Sequence, residues 1–307
     1  MRGFFLRRLA ILIPTVIGAV TLVFFFLHMI PGDPVEVMLG ETAQQADKER
    51  LREELGLNLP LYVQYGRFIA GIVQGDLGGS YFYRRPVVQV IAERVPATVE
   101  LALAAFLVAG LIAIPLGIVA ALREGTAVDN ASVLFSLLGV SIPNFWLGPL
   151  LIILFSIKLG WFPVSGRAGV ASLVLPAITL GAALAAILSR MTRASLLERL
   201  GEDYLTVARA KGLPEWKVIL KHALRNALIP IITVMGLQIG VLLSGAIITE
   251  NVFSWPGIGT LLINAIESRD YPLVQGCVLF ITLSYVLVNL LIDLLYGWAD
   301  PRIRLRG

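Results

Sequence analysis

Residues able to do covalent or metal chemistry are few in this sequence and stand apart. Two histidines, His28 and His222, and a single cysteine, Cys277, are widely separated, so the chain offers no Cys/His metal cluster and no internal disulfide. It has no Gly-x-x-x-x-Gly-Lys-[Ser/Thr] loop, and so no phosphate cradle of its own. No paired acid and base and no nucleophile with its activator appear. Three carboxylates, Glu100, Glu250 and Asp293, fall near the ends of apolar stretches. That position suits interfacial or capping groups, whereas a proton- or ion-coupled carrier keeps a carboxylate or histidine at mid-membrane depth.

The chemistry the sequence does offer is that of a docking surface, in the long polar and basic run from Asp203 to Pro230. Tyr204 to Lys211 has the make-up of a short helix in which Val207, Ala208 and Ala210 are small, which would let a partner approach its backbone closely. Gly212 supplies the left-handed position after the helix, and Pro214 forbids continuation while suiting the first turn of the next one. In that second helix Ile219, Leu220, Ala223, Leu224 and Ala227 are expected to form an apolar face. Lys217, Lys221 and Arg225 recur at intervals of four, a basic stripe that suits anionic lipid headgroups as well as protein.

The elements that must hold this loop are membrane spans. Of 307 residues 57% are hydrophobic and 15% charged, and the mean hydropathy is +0.82, a composition outside the range of ordinary soluble domains. Arg2, Arg7 and Arg8 precede an apolar run from Leu9 to Ile30, long enough to cross a hydrocarbon core that needs about 20 helical residues. It is read as an uncleaved first span, because no small-x-small cleavage site follows and the chain leaves through Pro31-Gly32-Asp33-Pro34. Five further stretches, Thr98 to Leu122, Ala131 to Ile157, Leu173 to Arg190, Leu228 to Thr249 and Gly276 to Trp298, bring the expected number of spans to six.

Between the first two spans, residues 31 to 97 form a small extramembrane element of roughly 65 residues. Leu51 and Leu55 lie on one face of a charged helix stopping at Gly56, and Leu61, Tyr65, Phe68, Ile69, Ile72 and Val73 form a second stripe that needs a cover. Gly75 to Ser80 breaks the pattern, and Pro86 to Val95 reads as a further short amphipathic piece.

The net charge of +4 matters less than where the basic residues fall, and it implies no nucleic-acid partner. Eight of them (Arg190, Arg193, Arg199, Arg209, Lys211, Lys217, Lys221 and Arg225) lie between the fourth and fifth stretches, and Arg302, Arg304 and Arg306 follow the sixth. The opposite short loops carry only Lys158, Arg167 and Arg269. Since cytoplasmic loops carry the excess, both termini and the 203–230 run are expected in the cytoplasm.

Helix breakers point to a pathway. Gly139 to Pro149 is the densest set, with Pro143 and Pro149 beside Ser141 and Asn144. Irregular backbone at membrane depth is tolerated only where protein or a water-filled cavity covers it, so this is either a buried kink or a pathway lining. In the fifth span Gly236, Gly240 and Gly245 alternate with Gln238 and Ser244, which suits close packing or a flexible gate. Ser141, Asn144, Gln238 and Ser244 are the candidate lining residues.

The loop resembles the cytoplasmic "EAA" loop of binding-protein-dependent ABC importer permeases. End to end the chain is similar to the first permease subunit of the dipeptide, oligopeptide, glutathione and nickel importers. The resemblance rests on Met29-Ile30-Pro31-Gly32-Asp33-Pro34, Gln74-Gly75-Asp76-Leu77-Gly78, Arg94-Val95-Pro96-Ala97-Thr98, Ala208-Arg209-Ala210-Lys211-Gly212, His222-Ala223-Leu224-Arg225-Asn226-Ala227 and Trp255-Pro256-Gly257-Ile258-Gly259, in that order. Aligned on Gly212, the Glu-Ala-Ala of the superfamily falls on Thr206, Val207 and Ala208, and its later Leu-Pro falls on Leu224 and Arg225. The glutamate, the first alanine and the proline are therefore absent.

The resemblance implies an all-α membrane protein with the type I ABC importer permease fold and an extracytoplasmic helical insertion between helices 1 and 2. Expected divisions are a first helix at 1–30, an insertion at 31–94, a five-helix domain at 95–298 with a coupling loop at 191–227, and a cytoplasmic tail at 299–307. It implies that Tyr204, Thr206, Val207, Ala208, Arg209, Ala210, Lys211, Gly212, Leu213 and Pro214 meet an ATP-binding subunit. Implied partners are a second homologous permease, two ATPases and an extracytoplasmic solute-binding protein, in a bacterial inner membrane, with ATP and Mg held by the ATPases and no cofactor, metal or catalysis in this chain. The implied cargo is peptide-like, with a nickel chelate as the alternative. A self-sufficient secondary carrier and a membrane-embedded enzyme are the competing classes, and the missing mid-membrane carboxylate and missing catalytic constellation speak against them.

Overall fold

The computed structural model describes residues 2–29, 32–40 and 42–299, and the side chains at 2–12, 237, 241, 243–245 and 291–299 are not described. Ile30 at the end of the expected first span, Pro31 of the exit turn, the tail beyond Ala299 and the side chains of Asp293 and Ser244 therefore lie outside the described residues. The described chain is helical: α1 Arg2–Met29, α2 Pro34–Leu39, α3 Gln45–Leu55, α4 Leu61–Gln74, α5 Val87–Leu122, α6 Ala127–Ser141, α7 Asn144–Leu151 with a π-helical continuation Ile152–Lys158, and α8 Val170–Leu200. Then come α9 Asp203–Ala210, the short α10 Glu215–Lys217 with a π-helical turn Val218–Ala223, α11 Leu224–Val252, α12 Ile258–Glu267 and α13 Tyr271–Ala299. Two compact units share these helices, one ending at Thr98 and including Pro256–Leu291, the other Val99–Trp255 with Ile292–Ala299.

In the first unit α1 covers the middle of the expected α4 stripe, at Tyr65 and Phe68, while its ends, Leu61 and Val73, are exposed. Thr21 Oγ1 lies 2.7 Å from the Tyr65 hydroxyl, and the Phe24 ring stacks on Phe68 and meets Tyr65 edge-on. Asp33 caps α2 by accepting the Val35 N–H at 2.9 Å and also takes Arg52 Nε of α3 at 2.8 Å, so one carboxylate joins two short helices. Gly56 and Gly75 end α3 and α4 in left-handed conformation, as their positions in the sequence suggest. An open cavity of about 1160 Å³ beside these helices is lined by His28, Gln64, Arg67, Asp76, Arg84 and Tyr271 among others. The 76–86 segment is pinned to the start of α13 by Asp270. That buried carboxylate accepts from Ser80 Oγ (2.5 Å), Phe82 N (3.1 Å) and Leu273 N (3.2 Å), the last as a helix cap.

One expectation is corrected here. The short piece expected from Pro86 to Val95 is the start of α5, a helix of 36 residues that runs straight through Pro96 and across the expected 94/95 boundary. Its cause is a continuous buried stripe, Val87, Val90, Ile91, Ala97, Leu101, Ala105, Ala109 and Ala113, which outweighs the one hydrogen bond a proline removes. Glu250, expected as an interfacial or capping carboxylate, is fully buried in the last turn of α11, close in sequence to the equally buried Phe253 and Trp255. Glu100 behaves as expected, pairing with Arg167 at 2.6 Å in a half-exposed setting.

In the second unit α5 and α8 touch so closely that side chains have no room. A Cβ on Gly181 would stand 2.6 Å from the Ala105 carbonyl oxygen, and one on Gly117 would stand 2.5 Å from Thr192 Cβ. Both contact numbers rise together, so the two helices run parallel. Against α8, α6 runs antiparallel: Asp129 meets Arg193, Ser136 meets Ser189, and Gly139 approaches Ala186. The series continues past the break, with Gly148 of α7 near Thr179.

That order gives the course of the broken segment. The pair 127–141 and 144–158 bends by 107° at Ile142-Pro143, and each limb of 15 residues is about 22 Å long, too short to cross alone. The pair leaves the end of α5 and travels back along α8 toward its start. Pro149 sits inside α7 without breaking it, contrary to the expectation of a second break. Four further helices are long and apolar enough to span: Val87–Leu122, Val170–Leu200, Glu215–Gly240 and Tyr271–Leu290. In α1 the stretch whose side chains are described, Ile13–Met29, is apolar and shorter.

Candidate functional site

The 203–214 helix-turn is built as the sequence suggests and for the expected reason. Helix α9 ends at Ala210, and Gly212 follows with φ +76°. Gly212 N–H donates to the Arg209 carbonyl at 2.9 Å and Leu213 N–H donates to the Ala208 carbonyl at 3.4 Å, the paired reverse bonds of a Schellman end. Pro214 then caps the next helix with φ −65°, and Arg209 closes the turn onto Glu215 at 2.9 Å. Both partners are exposed, so that ion pair shapes the turn more than it stabilises it.

A small core holds the helix-turn in place. Leu205 and Ala208 of α9 are buried with Ala121 from α5, Leu196 from α8, Val218 and Ala223 from the π-helical turn and Ala227 from α11, with Leu213 packed at the edge. The Tyr204 hydroxyl accepts the Asn226 side-chain N–H at 3.0 Å, tying α9 to the start of α11. The result is a short helix anchored to three spans, with Thr206, Val207, Arg209, Ala210 and Lys211 outward and Tyr204 at 37% exposure.

Two residues do not sit where the sequence pattern put them. Ala208 is small, but it is buried (8% exposed) against this chain's own core, so the close approach it permits is to Leu196 and Val218 and not to a partner. Leu220 is 50% exposed although it was placed on the apolar face, whereas Val218, overlooked, is fully buried. The π-helical turn explains both. Across this wider turn Val218, five residues before Ala223, joins Ile219, Ala223 and Ala227 in the buried stripe, while Leu220 faces outward, as does Trp216, which is 61% exposed. Lys217, Lys221 and Arg225 remain exposed.

The candidate pathway residues are only partly gathered. Ser141 is exposed and Asn144 half-buried at the break between α6 and α7, and α7 packs on α11. The close contact is at Gly148, where a Cβ would stand 2.9 Å from Val252 Cγ1. Gln238 lies 14 residues before Val252, about 21 Å along α11, so this contact does not bring Gln238 to Ser141 and Asn144. Helix α11 runs unbroken past Gly236, Gly240 and Gly245. Reasoning from the sequence missed Asp129 and Asp270; the signal for Asp270 was an acidic residue directly before Tyr271-Pro272 at a helix start.

Residues 113–305 match the family described as the binding-protein-dependent transport system inner membrane component. The chain belongs to this family. Residues 1–102 match the model for its N-terminal part. The dipeptide transport system permease protein DppB of Escherichia coli (strain K12) is 46% identical over 336 residues, covering 99% of both chains. The glutathione transport system permease protein GsiC of the same strain is 45% identical over 304 residues, again covering 99% of each. Among solved structures, the MetNI methionine ABC transporter in inward-facing conformations matches with a TM-score of 0.54 at 18% identity, covering 69% of this chain and 97% of that one. At that identity the likeness is one of fold, and it shows the architecture of an ABC importer permease. This inner membrane component of a binding-protein-dependent system thus presents a rigid, outward-facing helix-turn where its spans converge.

Proposed function

We propose that the chain is the membrane-spanning permease subunit through which an ABC importer moves a peptide-like solute, a dipeptide, an oligopeptide or glutathione, across the bacterial inner membrane. The substrate class follows the dipeptide and glutathione permeases to which the whole chain is similar. ATP hydrolysis, with its Mg, takes place in two partner ATPases. A second homologous permease completes the channel and an extracytoplasmic binding protein delivers the solute. In this reading the chain has six spans with both termini cytoplasmic, and residues 31–94 face outward.

The observation that carries the reading is the helix-turn itself. A short helix locked to three spans by its own core, with its far side exposed, is a lever: what displaces it displaces the spans. We assign the outward residues Tyr204, Thr206, Val207, Arg209, Ala210 and Lys211, with Gly212 and Pro214 holding the turn, to contact with an ATPase. Polar cargo cannot cross on lipid-facing surfaces, so it passes between the two permeases where the irregular backbone at Ser141 and Asn144 is covered, with Gln238 and Ser244 as the polar positions of α11.

The test is Val207→Asp, which puts a charge on the exposed face and leaves the core untouched. Reconstituted with its partners, this variant should hydrolyse ATP and fail to accumulate a labelled dipeptide. Parental uptake at normal abundance would remove the docking assignment. Uptake that survives vanadate but stops with an uncoupler would remove the ABC reading in favour of a secondary carrier.

A further inference from the structure

A buried two-pronged ion pair in the second unit lies outside the helix-turn and has no part in the function so far described. Asp129, in the first turn of α6, is 4% exposed. Its two oxygens accept from Arg193 Nε at 2.6 Å and Arg193 Nη2 at 2.7 Å, and Oδ2 also takes the Gly125 N–H at 3.0 Å. A guanidinium fork on a carboxylate fixes both distance and angle, unlike a single contact. The third bond ties in the 123–126 turn that joins α5 to α6. Arg193 stands on α8 one turn before Leu196, the residue that packs against Leu205 and Ala208 of the helix-turn.

We propose that the Asp129–Arg193 pair is a positioning device for coupling, which makes the near end of α6 part of the same rigid body as the 203–214 helix-turn. The proposal rests on the reading of that helix-turn as the ATPase contact. The small core ties the helix-turn to α5, α8 and α11 but contains no residue of α6. The ion pair fastens the near end of α6, the end beside the helix-turn, to α8, and with it the first limb of the broken span that ends at Ser141. Higher up, the Ser136 and Ser189 hydroxyls meet at 2.8 Å and Gly139 lies against Ala186, so the limb is fastened to α8 at three levels. The pair does not open in the cycle, because opening would leave a buried carboxylate without its partner.

The experiment uses the complete transporter in proteoliposomes with a radiolabelled dipeptide, reading both uptake and ATP hydrolysis. Asp129→Asn should lower dipeptide moved per ATP by about fivefold or more while hydrolysis stays within about twofold of parental. A paired variant, Asp129→Cys with Arg193→Cys in a Cys277→Ser background, removes both charges together, so no unpaired charge is buried. It should be uncoupled before treatment and regain coupling when a short thiol cross-linker joins α6 to α8.

A parental ratio in Asp129→Asn, or a parallel fall in uptake and hydrolysis, would overturn the proposal. So would a cross-link that blocks transport, since the two helices would then have to separate. Should Asp129→Asn fail to accumulate, the linked cysteine pair decides alone. Val207→Asp run alongside keeps the two ideas apart: if it remains coupled, the docking reading falls; if it uncouples while Asp129→Asn does not, only the ion-pair proposal falls.

Discussion

At the scale of single residues, Gly212 shows a requirement set by backbone alone. A Cβ there meets nothing within 4 Å, yet φ is +76°. Gly212→Ala should therefore cost only the left-handed penalty, about 1–2 kcal/mol, and leave a protein that inserts and transports more slowly. Gly212→Pro also removes the N–H given to Arg209 and imposes a negative φ; uptake assays should show transport lost at normal abundance. Ala208 and Val207 separate two kinds of smallness. Because Ala208 is buried among Leu196, Leu205 and Val218, Ala208→Asp should deplete the folded permease in membranes, measured by immunoblot, whereas Val207→Asp should not.

At the scale of elements, the close crossings of α5 and α8 make a sharp contrast between two glycines of one helix. A Cβ on Gly117 would stand 2.5 Å from Thr192 Cβ and 2.7 Å from the Ser189 carbonyl oxygen, which is backbone and cannot swing away. On Gly110 it would meet only Met235 Cε at 3.8 Å. Gly117→Ala should lower the melting temperature of the purified complex through about 1–3 kcal/mol of overpacking, and Gly110→Ala should leave it unchanged or slightly raised. The broken span gives a further expectation. Ser141→Trp, at its exposed bend, should slow uptake while ATP hydrolysis still responds to the loaded binding protein; unaltered uptake in a well-folded complex would make the bend a packing feature.

At the scale of the whole molecule the proposed orientation is what gives the helix-turn access to ATP-driven partners. It rests on the excess of Lys and Arg in alternate short loops. Cys277 is fully buried, so the parental protein should not react with an impermeant maleimide. In a Cys277→Ser background, Asn58→Cys should label from outside the cell and Lys211→Cys only after the membrane is opened. Reversed labelling would turn the molecule over and remove the coupling role.

What the sequence by itself determined is what composition and nearest neighbours control. A chain this apolar must span, and basic loops mark one side. An alanine-rich helix followed by Gly-Leu-Pro must end in a tight turn, because Gly212 alone there tolerates positive φ and Pro214 alone stops the helix; α9 and its Schellman end follow from that chemistry. The tertiary structure decided which side each residue faces. Periodicity could not show that Ala208 turns inward, nor that across a π-helical turn Leu220 faces out and Val218 in, because both depend on which residues α5, α8, α9 and α11 bring into one core. The single 36-residue α5 and the antiparallel return of the broken span along α8 come likewise from contacts remote in sequence. Asp129 and Arg193 are 64 residues apart, and only folding brings a carboxylate from the first turn of α6 against a guanidinium that the sequence counted merely as one more positive charge.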